Sequence, residues 1–374
     1  MSTSPAAPRR FAIACGGTGG HMFPGLAVAS ALRARGHAIA VVLSGRAVEN
    51  DRAAAALPEG AESLLVPVRP VSPRDPLSVF VMAAGIVRAL RAFRRFRPDA
   101  LLAMGSYTSF APVIAARWLG IPVVLHEANT IPGKAIARLA RFAHTVCLTF
   151  PEAEKCFPKR TRFADTGVPL RAEFAAGIGS SKADPDAFSL LVMGGSQGAQ
   201  AINEAVVAAL VLLRDRDPAL FARLRVTHLA GSKNEAGVRA LYEKAGLLAE
   251  ASQITVYGFS NEMPRHYAEA DVCLSRAGAS SCFELALAGL PAVFVPLPNL
   301  AGDHQVFNAK SMAGRGAGLC LEQKDLSAET LADTLAALAN DPARRAALRE
   351  ALLPLARPDA AERVANAVEA AARP

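Results

Sequence analysis

The chain lacks the features that mark several large protein classes. It has one Trp and four Tyr among 374 residues, too few flat rings to stack a run of unpaired bases, which argues against a single-strand nucleic-acid binder. Its six cysteines (Cys15, Cys147, Cys156, Cys273, Cys282, Cys320) form no CxxC pair and have no His cluster nearby. Neither a zinc site nor a disulfide framework is indicated, and reduced, mostly buried thiols of a cytoplasmic protein are expected. The longest apolar run in a plausible helix, residues 77–87, reaches only about half a membrane span. Arg9 and Arg10 precede an apolar run of residues 11–15 alone, shorter than the roughly 7 to 15 residues of a signal-peptide core. The protein is therefore expected to stay on the cytoplasmic side. With 28 Gly and 25 Pro, Gly and Pro are too few for a disordered or collagenous chain.

What is present suits two ordinary α/β domains. The length exceeds one compact core, and a 52% hydrophobic share is enough to fill two. The formal charge of +8 is uneven: residues 1–170 carry 21 Lys/Arg and 10 Asp/Glu, net +11, leaving 20 and 23, net −3, for the remainder. Such asymmetry predicts an anionic partner for the first half, a nucleic acid or a membrane surface. Short apolar runs alternate with Ala/Leu-rich helical stretches, the pattern of βα units around parallel sheets. Strands are predicted at 11–15, 38–43, 100–104, 123–126 and 145–148, then at 189–193, 226–229, 254–257, 271–275, 292–296 and 318–321. The TGVP segment at 166–169 and a weakly structured stretch at 177–186 separate the two series. At the end, Asp359 is a candidate N-cap of a helix over 359–372 that places Val364 and Val368 on one face and packs back on a neighbour.

The chemistry-bearing segments follow strands. The first strand ends in GGTGGH at 16–21, with a helix predicted from near Pro24; clustered glycines admit a ligand close to the backbone, and a helix N-terminus offers amides to an anion. A dinucleotide fingerprint fails here, because GxGxxG from Gly17 needs a glycine where Met22 stands, and no acidic residue follows the second strand. Met104-Gly105-Ser106-Tyr107 and His126-Glu127-Ala128-Asn129 are further turns after strands. The second series repeats the device in GGSQGA at 194–199 and in Arg276-Ala277-Gly278-Ala279-Ser280-Ser281, followed by Glu284. Small residues leave amides open to a diphosphate, and a carboxylate one turn into a helix can accept two ribose hydroxyls. Asp303, His304, Gln305 and Asn308 follow a later strand. Two such Gly-rich turns imply a large phosphorylated ligand held between domains.

Taken together, GGTGGH with Pro24-Gly25, HEAN at 126–129, TGVPLR at 166–171, GGSQGA, and the run from residue 270 to 298 ending in DHQVFNA at 303–309 resemble the MurG family. These are the lipid-linked peptidoglycan N-acetylglucosaminyltransferases of bacteria, in glycosyltransferase family 28, and the resemblance runs over essentially the whole chain in order. It implies a GT-B fold, two Rossmann-like α/β domains whose parallel sheets face an interdomain cleft. The implied division is an acceptor- and membrane-binding domain at 1–170, a UDP-GlcNAc domain at 171–355, and a C-terminal helix at 356–374 returning to the first. The implied reaction moves GlcNAc from UDP-GlcNAc to the C4 hydroxyl of MurNAc in undecaprenyl-diphosphate-MurNAc-pentapeptide, lipid I to lipid II. It inverts the anomeric carbon and needs neither metal nor other cofactor. It belongs to wall synthesis and hence to cell shape and division, on the cytoplasmic face of the inner membrane.

By the same resemblance, Thr18, Gly19, Gly20, Asn129, Arg171 and Ser196 would meet donor sugar and phosphates. Ser260 would present backbone to uracil, residues Ala279, Ser280, Ser281, Cys282, Phe283 and Glu284 would hold diphosphate and ribose, and Gln305 would read GlcNAc hydroxyls. Gly16, Gly17, Gly105, Ser106 and Tyr107 would form the acceptor-diphosphate loops. Ser106 stands where the family often has a second glycine, Phe283 where it often has a polar residue, and His304 where some members have Gln.

Direct displacement at an anomeric carbon needs a base for the hydroxyl and stabilisation of the departing UDP. Without a metal, helix N-termini and main-chain amides supply the latter. His21 is the first candidate base, since imidazole titrates near neutrality, although it could instead only hydrogen-bond phosphate. Glu127 is a second candidate and more simply a structural carboxylate. In the segment 77–97, Arg88, Arg91 and Arg95 share a helix face, with Leu77, Phe80 and Val81 at its start. A solvated face over an ordinary core helix is one reading; docking on anionic lipid, apolar residues shallowly inserted, is the other. Expected partners are UDP-GlcNAc, the lipid-linked acceptor, an anionic membrane surface and other wall-synthesis enzymes, but no nucleic acid. The rival readings are another GT-B lipid glycosyltransferase and, from a different class, UDP-GlcNAc 2-epimerase.

Overall fold

The structure is a computed structural model and describes residues 7–17, 19–45, 57–72, 74–175, 184, 186–195, 198–248, 253–299 and 302–373. Thr18, Ser196 and most of 177–186 lie outside the described residues. The chain divides into two compact units, residues 1–172 with 357–374, and residues 173–356.

In the first unit, seven strands form one parallel sheet: β1 (Arg10–Ala14), β2 (Ala38–Leu43), β3 (Glu62–Leu65), β4 (Ala100–Ala103), β5 (Val123–Glu127), β6 (Thr145–Leu148) and β7 (Phe163–Asp165). Their order is β3-β2-β1-β4-β5-β6-β7, so the direction of winding reverses between β1 and β4. The two-residue alternation of a strand sends Phe11 and Ile13 to one face and Ala12 and Ala14 to the other. Helix α1 (Gly19–Ala34) covers the first face. On the second lie α2 (Leu77–Phe96) and α3 (Phe110–Trp118), with α4 (Lys134–Leu139). Two strands escaped the sequence pattern. Edge strand β3 is mostly exposed, so it carries no apolar run, and edge strand β7 is three residues long.

Helix α1 begins at Gly19, not near Pro24 as expected, and Pro24 lies buried inside it. The glycine pair is wound into the first turn, which places His21 on a helix and not in the loop. The C-terminal helix of the chain, Ala360–Ala371, closes the face of β1 with Val364, Ala365 and Val368 fully buried. Asp359 occupies its N-cap position without capping; its carboxylate takes the Nε of Arg363 at 2.8 Å. Arg35 pairs with Glu362 and, at 2.5 Å, with Glu369, and the buried His37 meets Glu369 at 2.7 Å.

The second unit begins with the one-turn helix α5 (Ala172–Ala175), whose first residue still belongs to unit one. Its sheet is built from β8 (Phe188–Met193), β9 (Leu224–Leu229), β10 (Ile254–Tyr257), β11 (Val272–Ser275), β12 (Ala292–Phe294) and β13 (Leu319–Cys320). All pairs are parallel, in the order β10-β9-β8-β11-β12-β13, so winding reverses between β8 and β11. Around it lie α6 (Gln200–Arg216), α7 (Pro218–Arg223), α8 (Glu235–Lys244), α9 (Met263–Glu269), α10 (Ala279–Ala288), α11 (His304–Gly314), α12 (Ala328–Asn340) and α13 (Pro342–Leu352). One core joins Leu190 and Val192 of β8 to Ile202 and Val206 of α6 and Leu335 of α12.

Candidate active site

In an open parallel sheet, ligands bind beyond the carboxyl ends of the strands where the winding reverses. In unit one that point is the gap between β1 and β4, and the loops leaving these strands are those of Gly16-Gly17 and Gly105-Ser106. Side chains tie them together. Thr108 Oγ1 donates to the Gly16 carbonyl at 2.7 Å, and Ser109 Oγ bonds both the amide and the carbonyl of Gly105. Gly17 (φ +117°) lies so near Ser106 that a Cβ added there would stand 2.9 Å from Oγ. Ser106 itself holds φ +65°, ψ 165°, a region that suits glycine. A serine therefore fits the glycine conformation of this loop at a cost in strain.

The ring of His21 packs on Gly105, its Nε2 only 3.2 Å from where a Cβ would be, so the first turn of α1 and the loop after β4 meet at the imidazole. Glu127, at the end of β5, is 4% exposed, and burial raises its pKa. Its Oε1 accepts the amide and Nδ2 of Asn129 at 2.8 and 3.1 Å, and its Oε2 accepts the amide of Gly133 at 3.0 Å. A carboxylate enclosed by donors shapes its loop and is a poor proton acceptor for a substrate. His126, buried beside it, bonds the Gly167 carbonyl and is pushed down to about 4 by burial. Arg171 lies over the ring of Phe23, 5.5 Å from its centroid.

In unit two the winding reverses between β8 and β11, and the loops there begin with Gly194-Gly195 and Arg276-Ala277-Gly278. Gly278 is the N-cap residue of α10 and has no side chain to cap the helix, so the first-turn amides receive no cap from that position. Ser280 and Ser281 are half-buried, whereas Ala279, Cys282 and Phe283 are turned into the core. Through Cys282 and Phe283 only the main chain can reach a ligand. The loop after β11 is fastened from below. Arg276 donates to the Val295 carbonyl at 3.0 Å, and the fully buried Asn308 of α11 donates to the Ala277 carbonyl at 3.1 Å. Gln305 Oε1 accepts the Leu297 amide at 3.0 Å. Ser260 Oγ accepts the Glu262 amide and meets His266 Nε2 at 2.8 Å. Glu284 accepts the phenol of Tyr267 at 2.8 Å.

A buried polar chain supports this half and escaped the sequence reading. His228 of β9, fully buried, meets Tyr242 OH at 3.0 Å and Asn203 Oδ1 at 3.1 Å, and Asn203 Nδ2 donates to the Ala230 carbonyl. Nothing in the spacing of these residues marks them, because each pairs only with a residue distant in sequence.

Among the described residues, no group of three or more His, Cys, Asp or Glu side chains is arranged to hold a metal ion. Four of the six cysteines are buried, Cys320 is half-buried and Cys156 is exposed. Among the described residues, no helix is long and apolar enough to cross a membrane. On α2, Arg88, Arg91 and Arg95 are exposed, as are Leu77 and Phe80 at 64% and 71%; Val81 is half-buried, and Val79 is exposed instead.

Comparison with known proteins adds the family. The chain is 40% identical over 367 residues, 96% of each chain, to a Nitratidesulfovibrio vulgaris protein named "UDP-N-acetylglucosamine--N-acetylmuramyl-(pentapeptide) pyrophosphoryl-undecaprenol N-acetylglucosamine transferase". It is similar to the crystal structure of Acinetobacter baumannii MurG, with a TM-score of 0.76 and 31% identity over 97% of this chain and 100% of that one. A putative UDP-N-acetylglucosamine 2-epimerase of Listeria monocytogenes shares the fold alone, at TM-score 0.72 and 12% identity over 97% and 96% of the two chains. Residues 11–148 match the glycosyltransferase family 28 N-terminal domain and residues 189–364 its C-terminal domain. With both halves matched in order on two parallel-sheet units, the chain belongs to glycosyltransferase family 28.

Proposed function

We propose that the chain transfers GlcNAc from UDP-GlcNAc to the C4 hydroxyl of MurNAc in undecaprenyl-diphosphate-MurNAc-pentapeptide, converting lipid I to lipid II. The observation that carries the reading is the placement of Gly-rich turns at the winding reversal of both sheets. Backbone amides there can receive a diphosphate without metal. The full-length likeness to a transferase of that name supports the choice of substrates.

In this reading unit two holds the donor. The first-turn amides of α10, with Ser280 and Ser281, receive the diphosphate, Glu284 the ribose hydroxyls, and the backbone at Ser260 the uracil. Charge developing on UDP as the glycosidic bond breaks is stabilised by these fixed dipoles. Unit one holds the acceptor diphosphate on Gly16-Gly17 and Gly105-Ser106-Tyr107. His21 takes the proton of the C4 hydroxyl as the sugar is displaced with inversion, because Glu127 is already engaged by Asn129 and Gly133. The protein works at the cytoplasmic face of the membrane, where α2 lays Leu77, Val79 and Phe80 into the lipid surface and Arg88, Arg91 and Arg95 against anionic headgroups.

The test is incubation with labelled UDP-GlcNAc, with and without a lipid I analogue, in EDTA. Transfer that requires lipid I and persists in EDTA is the expected result. Acceptor-independent conversion of the nucleotide sugar, the epimerase outcome, refutes the reading.

A further inference from the structure

We propose that Tyr267 is a positioning residue for ribose recognition: its phenol aims the Glu284 carboxylate at the sugar hydroxyls of the donor nucleotide. The inference rests on the reading above, in which Glu284 accepts those hydroxyls.

Tyr267, from α9, is 2% exposed, and its hydroxyl donates to Glu284 Oε2 at 2.8 Å. The tyrosine hydroxyl oxygen also lies 3.6 Å from the sulfur of Met193, the last residue of β8 before Gly194-Gly195. Its ring packs on the buried Phe174, centroids 5.9 Å apart. The phenol is thus fixed by three elements, α5, α9 and the end of β8, and it reaches a carboxylate on the second turn of α10. An ionised carboxylate accepts only, so the hydrogen is the tyrosine's. A glutamate has three side-chain torsions and samples several rotamers on a helix surface. A charge-assisted bond from a buried, rigid phenol selects one of them before the ligand arrives. A carboxylate offers about four lone-pair sites, so holding one oxygen this way still leaves it able to accept from ribose. Preorganisation of this kind strengthens donor binding and leaves the chemical step alone.

The experiment measures KM and kcat for UDP-GlcNAc and for its 2′,3′-dideoxy analogue. It compares the unmodified protein, Tyr267→Phe, Glu284→Gln and the double variant. Phenylalanine keeps the ring on Phe174 and removes only the donor. We expect Tyr267→Phe to raise KM for UDP-GlcNAc about tenfold, the size of one charge-assisted hydrogen bond, with kcat within about twofold. The penalty should vanish with the dideoxy donor and in the Glu284→Gln background. A merely structural tyrosine raises KM equally for both donors or lowers kcat alone, and either result overturns the proposal. The ratio of KM values for the two donors does not depend on the fraction of protein folded, so it remains decisive for a destabilised variant. If Glu284→Gln still discriminates fully against the dideoxy donor, the ribose assignment of Glu284 is what fails, and the role of Tyr267 falls with it.

Discussion

Gly198 and Gly195 share a loop and a backbone conformation but differ in surroundings, which separates two reasons for glycine. Both hold a left-handed φ, +74° and +83°. A Cβ at Gly195 meets nothing within 4 Å, whereas one at Gly198 would stand 2.2 Å from the Ala230 carbonyl oxygen and 2.3 Å from Asn234 Nδ2. Gly195→Ala therefore carries only the conformational term of roughly 1 to 2 kcal/mol. Gly198→Ala adds an overpacking term of about 1 to 3 kcal/mol, because the atom it strikes is backbone held by Asn203 and Asn234. For a unit of this size each kcal/mol moves Tm by about 2 to 4 °C. Gly198→Ala should then unfold roughly 2 to 12 °C below Gly195→Ala in scanning calorimetry. Titration calorimetry with UDP should show weaker binding as well, since the strained loop opens α6. Equal Tm values for the two variants would refute the reasoning, by showing that the loop moves away from β9 at no cost.

Four further outcomes follow. Burial pushes His126 and His228 down to about 4, while the unfolded chain takes up these protons near 6.5. Folding stability contributed by each neutral ring is complete above pH 6.5 and lost as the pH falls toward 4, roughly 3 kcal/mol apiece; a Tm unchanged from pH 7 to 4.5 contradicts this. Ser106→Gly relieves a positive φ and should raise Tm by about 2 to 4 °C for roughly 1 kcal/mol; a lower Tm shows that the contact of Ser106 with Gly17 outweighs the strain. Reversing Arg88, Arg91 and Arg95 to Glu removes at least about 3 kcal/mol of headgroup attraction, so sedimentation with anionic vesicles should drop 100-fold or more at unchanged UDP-GlcNAc affinity. Retained vesicle binding overturns the docking reading of α2. His21→Asn should lower kcat about 100-fold or more with KM for UDP-GlcNAc nearly constant, and a rise in KM alone makes His21 a phosphate ligand and not the base.

The fold and the Gly-rich loops after its strands were legible because parallel strands buried on both faces read as apolar runs, and the glycines that end them stand out. Winding order was not. That the loops after β1 and β4, or after β8 and β11, are neighbours depends on strand pairing between segments some 80 to 90 residues apart, and no local pattern encodes it. Pro24 hid the true start of α1, because proline is a better first-turn residue than an interior one.

The case of Glu127 shows where residue types stop being informative. A carboxylate after a strand, next to His126, has the composition of an acid–base site, and the sequence left it a candidate base. Its role turns on whether the surrounding donors are substrate or chain, and here the amides of Asn129 and Gly133 are its partners. The same logic runs the other way for Tyr267. A tyrosine on a short helix is unremarkable in sequence, and only the fold brings its hydroxyl to Glu284, seventeen residues on. Residues that touch ligand are conspicuous because ligand chemistry restricts their type. Residues that aim them are restricted only by distance, so the supporting shell becomes visible once the sheets are assembled.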